Sequence, residues 1–376
     1  MVQSVIQGKY DVKINEFNEE KKEVTFLGRR ISWAEEGVSI EADPKHVAIL
    51  LKEWGLEDCN PCDTPVSSEE RGGVEDMPPG QATLFRRAAA RINYLGQDRP
   101  DLNVVSRLLA MRMAKPKRGD EEMIKRALRY LKGTPRLRYQ YPWESGVGTL
   151  TVYTDSDWGG DKEKRRSTSG GVILHGSHLI SHWSKLQNSP APSSGEAELN
   201  ACSKGLSEVL GIRHFLSQIG IEAKIRHYVD ASAAKGTLLR KGAGKIKHLE
   251  VRQLWCQSAI ERYGIEVIKI PRRQNLADCL THSISKRDQT LFHESIGVSV
   301  ESLEPNSARK EEAISHACSC IVAASRGYKR NSHVEVSSKA GEVIWGPWGE
   351  LGSVCGVLGD FGVCGVMDRL TPPVCH

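Results

Sequence analysis

Alternation of apolar and polar residues is clearest between residues 147 and 290, where it predicts five β-strands. Short runs rich in β-branched and aromatic residues, bounded by Gly, Ser or charged residues, are typical of strands. The runs are TLTVYTD, GGVILHG, HLISHWSKL, KIRHYVD and IEVIKIP, in chain order. Because turns that contain Gly and Ser separate the first three, they predict a three-stranded meander. The other two strands stand further apart, with helical patterns between them.

Those helical patterns complete the order of elements. Over residues 193–220 apolar residues recur near every 3.6 positions, and Gly220 is placed to end the helix. Ser193 and Glu196 have the spacing of a capping box at its start. Two further helices are predicted after KIRHYVD, and NLADCLTHSI predicts the start of a last one. The order β-β-β-α-β-α-α-β-α indicates a compact α/β region.

The remaining residues predict two flanking regions. Residues 1–143 read as strands followed by helices, and a Pro-, Gly- and acid-rich connector from Asp63 to Gly80 separates the first helix from the other two. The predicted strands are VTFLGRRISW and GVSIEA, and the predicted helices are KHVAILLKEWG, LFRRAAARINYLGQ and DEEMIKRALRYLKG. Residues 300–376 are rich in Gly, Ser and Cys and have no lasting period, so they predict an irregular, disordered tail.

Composition narrows the class of protein. A chain of 376 residues with 39% hydrophobic and 26% charged residues is typical of soluble globular proteins. It has no apolar run near the ~20 residues that cross a bilayer, and its charged N-terminus lacks the apolar core of a secretory signal. An intracellular protein is therefore expected. Cys59 and Cys62 form a CxxC without a second ligand pair at zinc-finger spacing, so a zinc or redox site is not expected there.

The net charge does not indicate which partner the protein binds, but one basic segment suggests candidates. The formal charge of +5 is too small to indicate a nucleic-acid partner by itself. Between Ala231 and Leu249, however, the chain carries five basic residues, several glycines and no acid. The segment fits either a solvated loop or a loop that contacts phosphates beside a metal site. From the residues alone both interpretations stay open.

Acidic residues are concentrated in YTDSDWGGD, directly after the first strand of the meander. Here Asp155, Asp157 and Asp161 surround one tryptophan. One carboxylate at a strand end is routine turn chemistry. Several together repel one another unless a cation or a substrate proton lies between them. The stretch is therefore a candidate functional site.

Four acids of this region come from four separate elements. Asp155 and Asp230 stand at the ends of two predicted strands, and Glu198 and Asp278 lie near the starts of two predicted helices. Glu196 already has a use in the capping box, whereas Glu198 has none. Carboxylates on several rigid elements are what two Mg²⁺ ions need when they catalyse phosphodiester hydrolysis.

The motifs of this region resemble the ribonuclease H domain of copia-type retrotransposon polyproteins. They are YTDSDWGG, RRSTSGG, LISHWSKLQNSPAPSSGEAEL, HYVD, KHLEV and NLADCLT. Upstream, LEDCNPCDTP, INYLGQDRPDL and ALRYLKGTP resemble the end of the reverse transcriptase palm and the thumb or connection. The resemblance implies a ribonuclease H-like α/β fold, a five-stranded mixed sheet with helices on both faces, over residues 147–290. An α+β remnant of reverse transcriptase would precede it.

The resemblance also implies an activity, a cofactor and partners. The activity is Mg²⁺-dependent cleavage of the RNA strand of RNA–DNA hybrids, with two Mg²⁺ ions, for which Mn²⁺ can substitute, and no small-molecule cofactor. An upstream reverse transcriptase core would be a partner. The implied catalytic and metal-binding residues are Asp155, Glu198, Asp230 and Asp278, with Asp157 as a secondary candidate. The candidate phosphate contacts are Arg165, Arg166, Lys241, Lys245, Lys247 and His248.

The sequence departs from the family in two ways, and alternatives remain. The chain has no Tyr-x-Asp-Asp motif, so no polymerase activity is expected, and the loop PRRQNLAD lacks the histidine that cellular ribonucleases H carry before the last acid. One alternative is a decayed or co-opted element that binds nucleic acid without cleaving it. Another is an integrase or transposase of the same fold, which normally places its glutamate on a late helix. A third is a structural connection subunit in which the acids have no role.

Overall fold

The computed structural model describes residues 22–67, 75–145, 148–242 and 251–301. These residues all belong to one compact unit that spans residues 1–308. Most of the predicted tail, residues 302–376, lies outside the described residues. Within the described ranges, no helix is long and apolar enough to span a membrane.

The first sheet contains five strands and is antiparallel throughout. The strands are β1 Glu23–Phe26, β2 Arg29–Ala34, β3 Gly37–Glu41, β4 Arg136–Pro142 and, near the end of the described residues, β10 Val298–Glu301. They lie in the order β1-β2-β3-β4-β10. VTFLGRRISW is thus a hairpin of two strands and not one strand. Its turn is at Leu27 and Gly28, whose φ angles are 49° and 81°. Strands β4 and β10 were not predicted.

Four helices pack into a separate core beside this sheet. They are α1 Lys45–Glu53, α2 Pro79–Leu95, α3 Asn103–Arg112 and α4 Asp120–Gly133. The three amphipathic helices predicted for this region correspond to α1, α2 and α4. Their apolar stripes meet in a cluster that includes the fully buried Leu50, Phe85 and Leu128. Helix α3, which was not predicted, adds Leu109 to the same core.

The second sheet is mixed, as the resemblance implies. Its strands are β5 Thr149–Ser156, β6 Thr168–His175, β7 His178–Leu186, β8 Lys224–Val229 and β9 Glu266–Lys269. They lie in the order β7-β6-β5-β8-β9. The meander β5-β6-β7 is antiparallel, whereas β8 is parallel to both β5 and β9. Strand β5 is therefore central and has one antiparallel and one parallel neighbour.

Helices cover both faces of this sheet. They are α5 Ser194–Gln218, α6 Ser232–Leu239, α7 Val251–Tyr263 and α8 Lys286–Ser295. On one face Val152 and Ile173 are buried with apolar residues of α5, α6 and α7. On the other face Val172 and Leu174 pack with Leu280 and with Phe292 of α8. Because successive strand residues point to opposite faces, β6 is buried on both sides.

The segment NLADCLTHSI does not start the last helix, which corrects the prediction. Residues Leu276–Leu280 form a short 3₁₀ helix, and α8 begins separately at Lys286. The Ser285 side chain accepts a hydrogen bond from the backbone N–H of Asp288 and so caps the new helix. The 3₁₀ helix lies flat against strand β6 instead of continuing into α8.

Candidate metal centre

Parallel pairing brings two of the predicted acids to the same edge of the sheet. Asp155 is the penultimate residue of β5, and Asp230 directly follows the last residue of β8. The two strands are paired in parallel, with Tyr153 opposite Tyr228. The carboxyl ends of neighbouring parallel strands lie side by side, so Asp155 and Asp230 are neighbours.

Helix α5 adds Glu198 to this edge. Its N-cap is Ser193, whose side chain accepts a hydrogen bond from the Glu196 backbone N–H at 3.3 Å, as the capping box predicts. The helix lies close to β5 because Gly205 has no side chain: a Cβ there would stand 2.4 Å from Thr154 Cγ2. One carboxylate oxygen from each of Asp155, Glu198 and Asp230 lies within 4.8 Å of the other two. We call these three residues the acid cluster.

Burial and neighbouring charges disfavour the ionised forms of Asp155 and Glu198 in the acid cluster. The pKa of Asp155 is raised to about 7, mainly by burial and also by the charges of Asp230 and Asp278, against the lowering effect of a hydrogen bond from Thr281. Burial, followed by the charges of Asp155 and Asp230, raises the pKa of Glu198 to about 9. A cation among these oxygens would relieve both the desolvation and the repulsion. The donor set therefore fits Mg²⁺ or Mn²⁺, which prefer carboxylate oxygens.

Asp278 lies beside the acid cluster but is not one of the three grouped residues. Its Oδ1 accepts a hydrogen bond from Arg272 Nε at 2.8 Å, and its Oδ2 is 3.7 Å from His282 Nε2. Its negative charge contributes to the raised pKa of Asp155. The loop PRRQNLAD, which lacks a histidine, thus places an arginine at the site, and a histidine follows Asp278 by four residues.

Three residues that sequence reasoning missed hold the Asp278 segment against the sheet. Asn275 donates a side-chain hydrogen bond to the Thr154 carbonyl at 3.0 Å. Gly170 is paired with Asp155 across β5 and β6, and a Cβ at Gly170 would stand 2.7 Å from the Ala277 carbonyl oxygen. Thr281 Oγ1 donates to Asp155 Oδ2 at 2.8 Å. Their roles depend on contacts across the fold and leave no periodic signal in the sequence.

The other two acids of YTDSDWGGD have structural partners. Asp157 accepts the Thr168 backbone N–H. Asp161 is buried and accepts the backbone N–H groups of Glu163 and Lys164, each at 3.2 Å. These two acids organise the turn that follows β5, and Asp155 is the member of the stretch that joins the acid cluster.

The predicted phosphate contacts are only partly described. Arg165 is exposed and has a φ of 54°, whereas Arg166 lies 3.5 Å from the carboxylate of Asp161. Lys241 is exposed and pairs with Glu261 at 3.2 Å. Lys245, Lys247 and His248 lie outside the described residues. The structure therefore leaves the role of the basic segment as a prediction.

Both cysteines of the CxxC lie within the described residues. Cys59 and Cys62 are both half-buried free thiols. Cys62 Sγ donates to the carbonyls of Thr64 and Arg126, at 3.5 and 3.3 Å. Within the described part of the chain, the group with metal-binding geometry is the acid cluster.

Strand order, helical cover and the position of the acid cluster together define a ribonuclease H-like fold. No protein-family profile matches the chain. It is 26% identical over 280 residues to the retrovirus-related Pol polyprotein from transposon RE1 of Arabidopsis thaliana. That alignment covers 73% of this chain and 19% of the polyprotein. It is 27% identical over 275 residues to the corresponding polyprotein from transposon TNT 1-94 of Nicotiana tabacum, covering 68% and 20%.

The chain is a distant homologue of the copia-type retrotransposon Pol polyproteins. It spans about a fifth of the length of these two relatives. Among solved structures it is similar to LC11-RNase H1, isolated from compost, with 18% identity and a TM-score of 0.28. That alignment covers 38% of this chain and 99% of LC11-RNase H1.

Proposed function

We propose that this protein cleaves the RNA strand of RNA–DNA hybrids endonucleolytically and that the acid cluster is its catalytic centre. One observation carries the proposal: oxygens of Asp155, Glu198 and Asp230, from three separate elements, converge within 4.8 Å at the end of the central strand. Homology to retrotransposon polyproteins supports it, because such elements make RNA–DNA hybrids during reverse transcription.

The proposed ligands are the acid cluster and Asp278. Bound as a pair, Mg²⁺ ions, or Mn²⁺ in their place, supply a nucleophile from water and stabilise charge on the leaving oxygen. Thr281 holds one oxygen of Asp155 through its hydroxyl at 2.8 Å and so fixes the orientation of that carboxylate. Arg272 is mostly exposed and pairs with Asp278, so its guanidinium is available at the mouth of the site for a substrate phosphate.

The substrate class follows from the type of site. Hybrid helices are recognised by shape and by the 2′-hydroxyl more than by base sequence, so cleavage should depend on helix form. In this proposal residues 147–290 form the ribonuclease H-like region and residues 1–143 the end of reverse transcriptase. Polymerisation would belong to an upstream core. Phosphate contacts from Arg165, Arg166 and the segment that contains Lys241, Lys245, Lys247 and His248 belong to the same proposal.

A single-turnover assay with the full chain tests the proposal. The substrate is an RNA–DNA hybrid labelled on the RNA strand, compared with double-stranded DNA of the same sequence, in Mg²⁺. We expect 5′-phosphate and 3′-hydroxyl RNA ends. Asp155→Asn should lower the rate by orders of magnitude, since it keeps the shape of the side chain but removes a charge that the ions need.

Asp157→Asn is the matched control, because Asp157 belongs to the same stretch but is bonded to the following turn. It should retain most of the cleavage. Equal cleavage of hybrid and double-stranded DNA would contradict the proposal, as would a fully active Asp155→Asn variant. Tight hybrid binding by a wild-type protein that does not cleave would favour the decayed or co-opted element.

A further inference from the structure

Arg107 reaches from helix α3 into the second sheet. Its Nε donates to Ser184 Oγ on β7 at 3.1 Å, and its Nη2 donates to the Thr281 carbonyl oxygen at 3.3 Å. Residues 107 and 281 are 174 positions apart in the chain. A residue of the upstream, reverse transcriptase-like part is therefore bonded to the segment that borders the acid cluster.

Thr281 continues this path to the centre of the site. Its side chain is almost fully buried, and its hydroxyl donates to Asp155 Oδ2 at 2.8 Å. The same hydroxyl is 2.9 Å from the Asp278 carbonyl oxygen. The backbone position of Thr281 thus determines whether its hydroxyl reaches Asp155. Arg107 holds that backbone through the carbonyl group of the same residue.

A second contact between α3 and β7 fixes the position of the helix from which Arg107 projects. One turn before it, Asn103 Nδ2 lies 2.8 Å from His182 Nδ1 on β7. Burial lowers the pKa of His182 to about 4, so the ring is neutral near pH 7 and Nδ1 can accept the hydrogen bond. Asn103 and Arg107 lie on the same face of α3 because they are four residues apart. Both contacts therefore join the helix to the second sheet.

Burying the charged guanidinium of Arg107 lowers the stability of the fold unless other interactions compensate for its lost hydration. Burial lowers the pKa of Arg107, opposed by the nearby charges of Asp157 and Asp161. The hydrogen bonds described above go to neutral acceptors and not to a carboxylate. A buried guanidinium without a bonded carboxylate usually makes the folded state less stable than an apolar residue of similar size would. The geometry of Arg107 is instead suited to anchoring both β7 and Thr281, because a guanidinium offers several donors in a rigid fork.

We propose that Arg107 is a positioning residue for the metal centre. It fixes the backbone of Thr281, and the Thr281 hydroxyl in turn fixes Asp155 in the orientation that binds metal. The inference rests on the proposed function and adds to it that the catalytic centre depends on a side chain from outside residues 147–290. Arg107 itself touches neither metal nor substrate in this account.

The test compares Arg107→Gln, Arg107→Lys and the control Arg112→Gln in the full chain. Arg112 lies at the end of the same helix and is half-exposed. Two readouts are used: the Mg²⁺ concentration for half-maximal hybrid cleavage, and the rise in melting temperature on adding Mn²⁺ without substrate. Arg107→Gln should need about 10- to 100-fold more Mg²⁺, as expected when a residue that orients a metal ligand is lost. Its Mn²⁺-induced rise should shrink, and its hybrid affinity in EDTA should not change.

Arg107→Lys should recover part of the metal response, because a lysine ammonium can still donate to the Thr281 carbonyl. Arg112→Gln should behave as wild type. A double-mutant cycle with Thr281→Val adds a readout that general destabilisation would not move. In the Thr281→Val background, Arg107→Gln should change the metal response little, since both act through the same hydroxyl.

Several outcomes would overturn the inference. Wild-type metal responses in Arg107→Gln would do so, as would full additivity with Thr281→Val. Weaker hybrid binding with unchanged metal dependence would make Arg107 a nucleic-acid contact instead. If the wild type shows the Mn²⁺-induced rise but cleaves no hybrid, the proposed function fails and the positioning role of Arg107 stands on the thermal data. A wild type without any Mn²⁺ response would overturn both.

Discussion

The protein buries acids in two regions, and the pKa values of these acids shift in opposite directions. In the helical core, Asp101 accepts hydrogen bonds from Arg99 Nη2 at 2.7 Å and from the Tyr130 hydroxyl at 2.6 Å. Burial there works against ionisation, but the charge of Arg99 prevails, and the pKa of Asp101 falls to about 2. In the acid cluster the pKa values of Asp155 and Glu198 instead rise to about 7 and about 9.

The contrast separates an acid whose charge is balanced inside the fold from acids that we propose bind a cation. Asp101 has its counter-ion within the chain, so its charge is already balanced in the folded protein. Asp155 and Glu198 have like charges as close neighbours, and the guanidinium beside them, Arg272, is paired with Asp278. Strongly raised pKa values from burial and neighbouring charge are common at functional sites. The same residue type therefore has different roles according to what balances its charge.

The largest effect is expected from Asp101→Asn. The change leaves the buried guanidinium of Arg99 without its counter-ion, and breaking a buried pair in this way costs about 3–5 kcal/mol. Chemical denaturation should show this loss. Asp63→Asn, which breaks the exposed pair with Lys286, is the control and should change stability little. A comparable loss in both variants would remove the distinction between buried and exposed acids.

Without metal, Asp155→Asn is expected to stabilise the fold, and the size of this stabilisation should depend on pH. The folded-state pKa of Asp155 is raised from 3.8 to about 7, so its protonated form stabilises the fold below about pH 4. That stabilisation is lost as the pH rises through about 7. Asparagine does not ionise. The variant should therefore melt close to wild type at pH 4 and above it at pH 8.

Added Mg²⁺ provides the internal control for this pH dependence. At pH 8 the metal should raise the melting temperature of the wild type and leave Asp155→Asn nearly unchanged. A melting difference of the same size at pH 4 and pH 8 would show that Asp155 is not held in its charged form against burial and repulsion.

A smaller effect is expected from Gly170→Ala, which tests the packing beside the acid cluster. The new methyl group would stand 2.7 Å from the Ala277 carbonyl oxygen and 2.9 Å from Thr281 Cγ2, so the 3₁₀ helix must move. We expect a loss of about 1–3 kcal/mol from overpacking, together with a higher Mg²⁺ requirement. The control, Gly211→Ala, faces open space within α5 and should gain about 0.5–1 kcal/mol. An unchanged Mg²⁺ requirement in Gly170→Ala would show that this segment does not position the site.

The smallest effect is expected from the basic segment. Changing Lys241, Lys245 and Lys247 together to Ala should weaken hybrid binding and flatten its salt dependence. Each lost phosphate contact lowers the slope of log K against log salt by about 0.9. The slope is measured from binding titrations at several salt concentrations. An unchanged slope would support the solvated-loop interpretation.

Local patterns in the sequence were sufficient for most of the second sheet. The five runs predicted between residues 147 and 290 are its five strands, and the α4 prediction has the observed bounds, Asp120–Gly133. Each of these elements carries its own periodicity and end signals. Strand β4 was missed although Leu137, Tyr139 and Tyr141 alternate with polar residues, a period-two signal that could have revealed it.

The site was less accessible to sequence reasoning. The convergence of Asp155 and Asp230 could be expected from two strand ends, and the structure brings both together with Glu198. The contributions of Gly170, Thr281 and Arg107 could not be expected. They arise from contacts between residues distant in sequence, such as Arg107 and Thr281, which neither composition nor periodicity encodes. The catalytic role of the four acids stays a prediction.

The most direct test of the account is whether the acid cluster binds a divalent cation. Mn²⁺ is titrated into the full chain at pH 8 without substrate, and the free ion is measured by electron paramagnetic resonance. Wild-type protein should remove Mn²⁺ from solution, Asp157→Asn should do so nearly as well, and Asp155→Asn should bind far less. Equal Mn²⁺ binding by wild type and Asp155→Asn, or none by wild type, would contradict the claim that these buried acids are held for a metal.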